Sequence, residues 1–272
     1  MNTKLLLLIS VLLLTFFTVQ PGSAQWLPTN GPRVNVHVNR TVVSIGASGP
    51  DIFVETSSES LLLSSDNGAT WSKIITTWSS QIRFFAVSGT NLFAITNGSG
   101  IFLTTDNGAH WTAANNGLTN SDIRSFTSSG GNLFAGTTNG DIFISTNNGT
   151  SWLLANSGIP NTTVNALATV GTTILAGTQY GGIFASTDNG ASWNPASTGL
   201  TSVGAIAFGV SGSTVFAATS DKGVFVSTNS GGTWASASSG LFGTSVYEFA
   251  TIGSDVFAAI SGGGVFLTTD NG

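Results

Sequence analysis

The stretch FASTDNGASWNPASTGL, Phe184 to Leu200, places an Asp in a Ser-Thr-Asp-Asn-Gly turn and follows it with a Trp. In a chain where only 7% of residues are charged, such an Asp invites three readings: catalyst, metal ligand or turn chemistry. The rest of the chain repeats the stretch. SSDNGATW ends at Trp71, TTDNGAHW at Trp111, STNNGTSW at Trp152 and STNSGGTW at Trp234, and a partial copy, TTDNG, begins at Thr268. The third position is Asp66, Asp106, Asn147, Asp188, Asn229 and Asp270, spaced by 40 residues once and by 41 four times. A fixed period of this length signals a repeat architecture.

Each period has the same interior. In the fourth, VNALATV (Val164 to Val170) leads to TILAGT (Thr173 to Thr178), GIFAST (Gly182 to Thr187) and SWNPAS (Ser192 to Ser197). These runs are short, rich in β-branched and aromatic residues, and separated by Gly, Asn or Thr turns. Four such strands in about 40 residues predict an all-β fold built as a β-propeller of four-stranded blades. The strands are named A to D from the central axis outward. Six blades are expected, or seven if the natural sequence runs on past Gly272. The last repeat has segments for A, B and C but not D. WLPTNGP (Trp26 to Pro32) resembles WTAANNGL (Trp111 to Leu118), a strand D and its exit. The N-terminal stretch is therefore expected to supply the missing strand and cover an exposed edge. Strand B carries Phe53, Phe93, Phe134, Leu175, Phe216 and Phe257; strand C carries Leu62, Phe102, Phe143, Phe184, Phe225 and Phe266. Blade sheets stack face to face, so these side chains are expected to fill the layers between blades.

The repeats also test the role of the Asp. The third position alternates between Asp and Asn, which keeps an acceptor oxygen and loses the charge. Turn chemistry tolerates that exchange, whereas general-base or metal chemistry does not. The six residues are therefore read as structural, accepting hydrogen bonds from N–H groups of their own turn, with help from the Ser or Thr two residues earlier. Gly68, Gly108, Gly149, Gly190, Gly231 and Gly272 are expected at positive φ.

Composition narrows the function. MNTK followed by the 15-residue apolar core LLLLISVLLLTFFTV and the small residues Gly22 and Ala24 reads as a signal peptide, residues 1–24, with the propeller domain over 25–272. No later segment is apolar enough to span a membrane. A formal net charge of −5 provides no basic surface for nucleic acid. The absence of Cys removes disulfides, thiolate metal sites and Cys nucleophiles. Two histidines, His37 and His110, are too few for a classical metal site, and no cofactor is called for. A secreted or cell-surface monomer is expected.

The motif S/T-x-D/N-x-G-x-x-W resembles the Asp-box of bacterial neuraminidase (BNR) repeats in the sialidase-like superfamily. Its W…GL continuation, as in Trp111 to Leu118 and Trp193 to Leu200, is similar in style to secreted bacterial propellers of the photosystem II assembly-factor type. The resemblance implies a propeller and leaves the activity open, because enzymes and binding proteins share the motif. A sialidase-type site implies three arginines around a carboxylate, a Tyr activated by a Glu, and an acid/base Asp. The chain has four arginines, Arg33, Arg40, Arg83 and Arg124, and two tyrosines, Tyr180 and Tyr247; GPRVNV does not match the Arg-Ile-Pro signature.

One feature remains. Arg83, Arg124 and Tyr247 occupy the second residue of strand A, where the other repeats have Val43, Asn165 and Gly204. That position is expected at the rim of the central channel, beside the B–C loops that carry Glu59, Asn97, Asp141, Tyr180, Asp221 and Lys222. Either the loops simply hold the polar residues, or this rim binds a glycan or a peptide segment. Arg83, Arg124, Tyr180, Tyr247, Glu59 and Glu248 are the candidate ligand-binding residues, and none is assigned a catalytic role. A secreted binding or scaffold module for a glycan or protein partner is the expected function. A glycoside hydrolase of the sialidase type is the alternative.

Overall fold

The computed structural model describes residues 6–9, 12–15, 42–57, 60–76, 78–241, 245–261 and 264–269. Trp26, Glu59 and Asp270 lie outside them, and with them the closing strand expected from Trp26. Within the expected signal peptide only Leu6–Ile9 and Leu12–Thr15 are described, as a two-stranded antiparallel hairpin. Every regular element among the described residues is a strand. The chain divides into two compact units, Met1–Ala113 and Ala114–Gly272.

The first unit holds two four-stranded antiparallel blades in the order A-B-C-D. Blade 1 is Val42–Ser48, Asp51–Thr56, Ser60–Ser64 and Ser72–Ile74; blade 2 is Ile82–Ser88, Asn91–Thr96, Ile101–Thr104 and Thr112–Ala113. Phe53 of strand B in blade 1 is fully buried, and it packs in one cluster with Phe102 of strand C in blade 2. Trp78, on the exit from blade 1, stacks on Phe102 with ring centroids 4.3 Å apart and meets Trp111 edge-on at 5.5 Å.

The second unit holds four blades. Blade 3 is Ile123–Ser129, Asn132–Thr137, Ile142–Ser145 and Leu153–Leu154. Blade 4 is Val164–Val170, Thr173–Thr178, Ile183–Ser186 and Asn194–Pro195. Blade 5 is Ala205–Ser211, Thr214–Thr219, Val224–Ser227 and Ala235–Ser236. Blade 6 is Val246–Ile252, Asp255–Ile260 and Gly264–Thr268, a sheet of three described strands. The A strands of successive blades lie side by side. Ser125 Oγ donates to the Val164 carbonyl at 2.9 Å, and Ser211 Oγ to that of Gly253 at 2.9 Å.

The six sheets are the blades of a β-propeller, and within each unit the core lies in slabs between successive blades. Phe134 of strand B packs with Phe184 of the next blade's strand C, and Leu175 packs likewise with Phe225. Cross-strand register explains the pattern. Phe134 pairs with Ile144 while its neighbour Ala135 pairs with Phe143, so the two aromatics of one blade point to opposite faces. Each blade thus offers an apolar ring to both neighbours. Phe257 and Phe266 of blade 6 are half-buried, the least covered of the series.

Candidate functional site

The Asp-box turns join strands C and D, and their hydrogen bonds repeat from blade to blade. In blade 4 the buried Ser186 hydroxyl accepts the Gly190 N–H at 2.8 Å and donates to Asp188 Oδ1 at 2.8 Å. The same oxygen of Asp188 accepts the Ser192 N–H at 2.9 Å, and Oδ2 accepts the Ser192 hydroxyl. Ser64, Asp66 and Thr70 reproduce this in blade 1. Blade 2 substitutes an imidazole: His110 Nδ1 lies 2.7 Å from Asp106 Oδ2. In blade 3 the direction of the last bond reverses, since Asn147 Nδ2 donates to Ser151 Oγ at 2.9 Å. Asn229 does the same to Thr233 Oγ1 at 3.1 Å.

Asp66, Asp106, Asn147, Asp188 and Asn229 each bond within their own turn, and two features go beyond the expectation. The partner across the turn is the residue four positions on, a hydroxyl or an imidazole that sequence reasoning passed over. The residue before each Gly is also left-handed: Asn67, Asn107, Asn148, Asn189 and Ser230 have φ of 55° to 58°. Hydrogen bonds lower the carboxylates. The Thr70 hydroxyl and N–H hold Asp66 at about 2, against an ordinary 3.8. The His110 N–H and ring do so for Asp106, and the Ser192 hydroxyl and N–H for Asp188, both also at about 2. Both carboxylate oxygens of Asp66, Asp106 and Asp188 are engaged within their own turns, which favours the charged form.

The Trp that closes each motif reaches backwards. Trp152, Trp193 and Trp234 donate their indole N–H to the carbonyls of Ala114, Ala155 and Ala196 at 2.9, 2.7 and 2.8 Å. Their backbone N–H groups donate to Asn116, Ser157 and Thr198, each at 2.8 Å. Each Trp thus ties the end of the preceding strand D. Trp71 and Trp111 differ: their indole N–H groups are buried with no partner among the described residues.

At the other end of the strands, every strand A carries a β-bulge at its second residue. The bulged residues are Val43, Arg83, Arg124, Asn165, Ile206 and Tyr247. Ile206, not Gly204, is thus the fifth counterpart. Gly204 instead abuts the carbonyls of Thr178 and Gln179, where a Cβ has no room. A bulge leaves one residue outside the ladder and re-aims its side chain, and such positions recur beside functional sites. The B–C loops are held at the start of strand A by backbone bonds, Asn97 to Gln81 in blade 2 and Thr138 to Asp122 in blade 3. Gln179 and Ser261 bond likewise to Thr163 and Ser245.

The candidate ligand residues take several states. In the first unit Arg83 is half-buried, and its Nε donates to Asn97 Oδ1 at 2.8 Å. In the second, Arg124 is exposed and has no hydrogen-bond or ion-pair partner among the described residues. Tyr247 is 63% exposed on the bulge of blade 6, beside half-buried Glu248. Tyr180 is 71% exposed on the B–C loop of blade 4, its hydroxyl accepting from Gln179 Nε2 at 2.9 Å. No hydrogen bond joins Arg124, Tyr180 and Tyr247 to one another. Two loop carboxylates are tied instead: Asp141 accepts from Asn139 and Asn156, and Asp221 from Ser202. Among the described residues no group of His, Asp and Glu is placed to hold a metal ion. An open groove of about 390 Å³ lies elsewhere, between Leu153 and Leu154 of strand D in blade 3 and Asn189 of the next Asp-box.

Comparison with known proteins agrees with this architecture. The DUF6242 beta propeller domain matches over residues 14–120 and 104–204. Among solved structures, YCF48 bound to D1 peptide superposes with a TM-score of 0.65 at 19% identity, covering 80% of this chain and 74% of that one. YCF48 from Cyanidioschyzon merolae gives 0.57 at 18% identity, covering 82% and 80%. The GH74 enzyme of Niastella koreensis gives 0.60 at 19% identity, covering 81% of this chain and 35% of that enzyme. At these identities the likeness is one of fold. No curated protein matches the chain.

Proposed function

The chain belongs to the DUF6242 β-propeller family, and from that premise and the bulge geometry we propose that it is a secreted binding or scaffold module. Its ligand is a protein segment or glycan bearing a carboxylate, held at the strand A bulges of one unit, at Arg83 in the first or at Arg124 and Tyr247 in the second. The observation that carries this reading is the bulge series itself. A framework that is otherwise poor in charge places Arg83, Arg124 and Tyr247 at the one position per blade that lies outside the ladder. Guanidinium groups present planar paired donors suited to a carboxylate, and exposed tyrosines offer a stacking face with a polar edge. Glu248, and Glu59 by its place in the sequence between strands B and C of blade 1, are the carboxylates assigned to orient arginines or to accept from sugar hydroxyls. That a similarly folded YCF48 is known with a bound peptide makes a peptide the first ligand class to try.

The test is an array of peptides with acidic or free C-terminal ends alongside acidic glycans, followed by calorimetry on the best binder. Each charged hydrogen bond contributes about 1.5–3 kcal/mol. The Arg83→Ala, Arg124→Ala double variant is therefore expected to weaken binding at least about tenfold. Unchanged affinity in a folded double variant overturns the assignment.

A further inference from the structure

Seven Asn–Gly steps lie among the described residues, beginning at Asn67, Asn97, Asn107, Asn116, Asn139, Asn148 and Asn189. Asn–Gly is the dipeptide most prone to self-attack, because glycine leaves its nitrogen unshielded by a Cβ. Reaction requires an amide nitrogen able to shed its proton and an Asn side chain able to turn toward it. Six of the seven steps are blocked. In the four Asp-boxes the Gly N–H is held by a Ser or Thr hydroxyl at 2.8 to 2.9 Å. The Gly98 N–H donates to the Thr96 carbonyl at 3.0 Å, and Asn97 Oδ1 is held by Arg83. Asn139 is pinned at both ends of its amide, by Thr137 and Asp141.

Asn116–Gly117 has neither restraint. Asn116 is exposed, its side chain has no partner among the described residues, and neither has the Gly117 N–H. We propose that, of these seven steps, Asn116 is the one at which this protein modifies itself with age. The Gly117 nitrogen loses its proton to solvent base and attacks Asn116 Cγ. The Cγ–Nδ2 bond breaks and ammonia leaves with a proton, closing a succinimide. Water then opens the ring at either carbonyl, giving Asp or isoaspartate and a new negative charge. The isoaspartate branch routes the main chain through the side chain. The carbonyl that accepts the Trp152 N–H at 2.8 Å then becomes a free carboxylate outside the main chain, so that backbone tie to blade 3 is broken while the indole bond to Ala114 remains. In the next two blades the same place is taken by Ser157 and Thr198, which cannot react this way.

The experiment is incubation of the folded protein in warm, mildly alkaline buffer, with peptide mapping by mass spectrometry and an enzymatic assay for isoaspartate. Asn116 is expected to convert roughly tenfold faster than any Asp-box Asn, the factor corresponding to one hydrogen bond that must first open. In denaturant the seven steps should converge. Asn116→Ser should abolish the early product while keeping the melting point, since it copies Ser157 on the exit from blade 3. Conversion of an Asp-box Asn at the rate of Asn116 overturns the proposal. So does conversion of Asn97 or Asn139 ahead of it, or an unconverted folded protein whose denatured form reacts.

Discussion

A hydroxyl both donates and accepts, and the fourth residue after each motif Asp exploits this. Ser192 donates to a carboxylate in blade 4, while Ser151 accepts from an amide in blade 3. The turn therefore tolerates Asp or Asn without rebuilding. Asp188→Asn is expected to leave the melting point at neutral pH nearly unchanged. Ser186→Ala is different, because it strands the Gly190 N–H in a buried place. It should cost about 1–3 kcal/mol in a denaturant titration. If both variants melt together, the hydroxyl is not the keystone of the turn. Ser230 is the one motif residue at φ 57° that is not Asn. Asn enters this region more readily, so Ser230→Asn should raise stability by a few tenths to about 1 kcal/mol.

At the level of elements, the coupling between blades has two parts, an apolar slab and a polar tie. Trp193 belongs to both: it packs in the cluster of Phe134 and Phe184, and its indole holds the Ala155 carbonyl. Trp193→Phe keeps most of the slab and loses the tie, so a cost of about 1–3 kcal/mol is expected. Trp193→Ala should cost about 3–5 kcal/mol. Equal losses in urea titrations of the two would remove the tie from the argument. Gly190 shows why the slab is so tight. A Cβ there would lie 2.9 Å from Phe134 Cε1, so the Gly is fixed by a neighbouring ring as well as by its own φ of 82°.

Over the whole molecule, the Asp-boxes are expected to contribute to the response to acid. Asp66, Asp106 and Asp188 sit at about 2 when folded, below the ordinary 3.8. A lowered folded value means stability that is present above about 3.8 and lost as pH falls toward 2. All three groups are exposed, so screening tempers the effect. A variant with Asn at the three positions should show a flatter melting point between these limits; an unchanged slope would assign acid unfolding to other groups. Period and strand pattern were legible in sequence, because each blade repeats the same local chemistry. The backward reach of Trp152, Trp193 and Trp234 was not, since a repeat motif does not tell which neighbour its side chains serve. Nor were the bulges, which shift register by one residue and moved the fifth counterpart from Gly204 to Ile206. That backward reach also gives the molecule a direction in time. Each tie joins residues 38 apart, and the donor is always the later one. During synthesis a blade that has emerged therefore waits for its successor's Trp before its outer strand is locked. A stalled chain ending just before Trp234 should leave the Asn194–Pro195 edge open to protease, and one extended past Trp234 should close it.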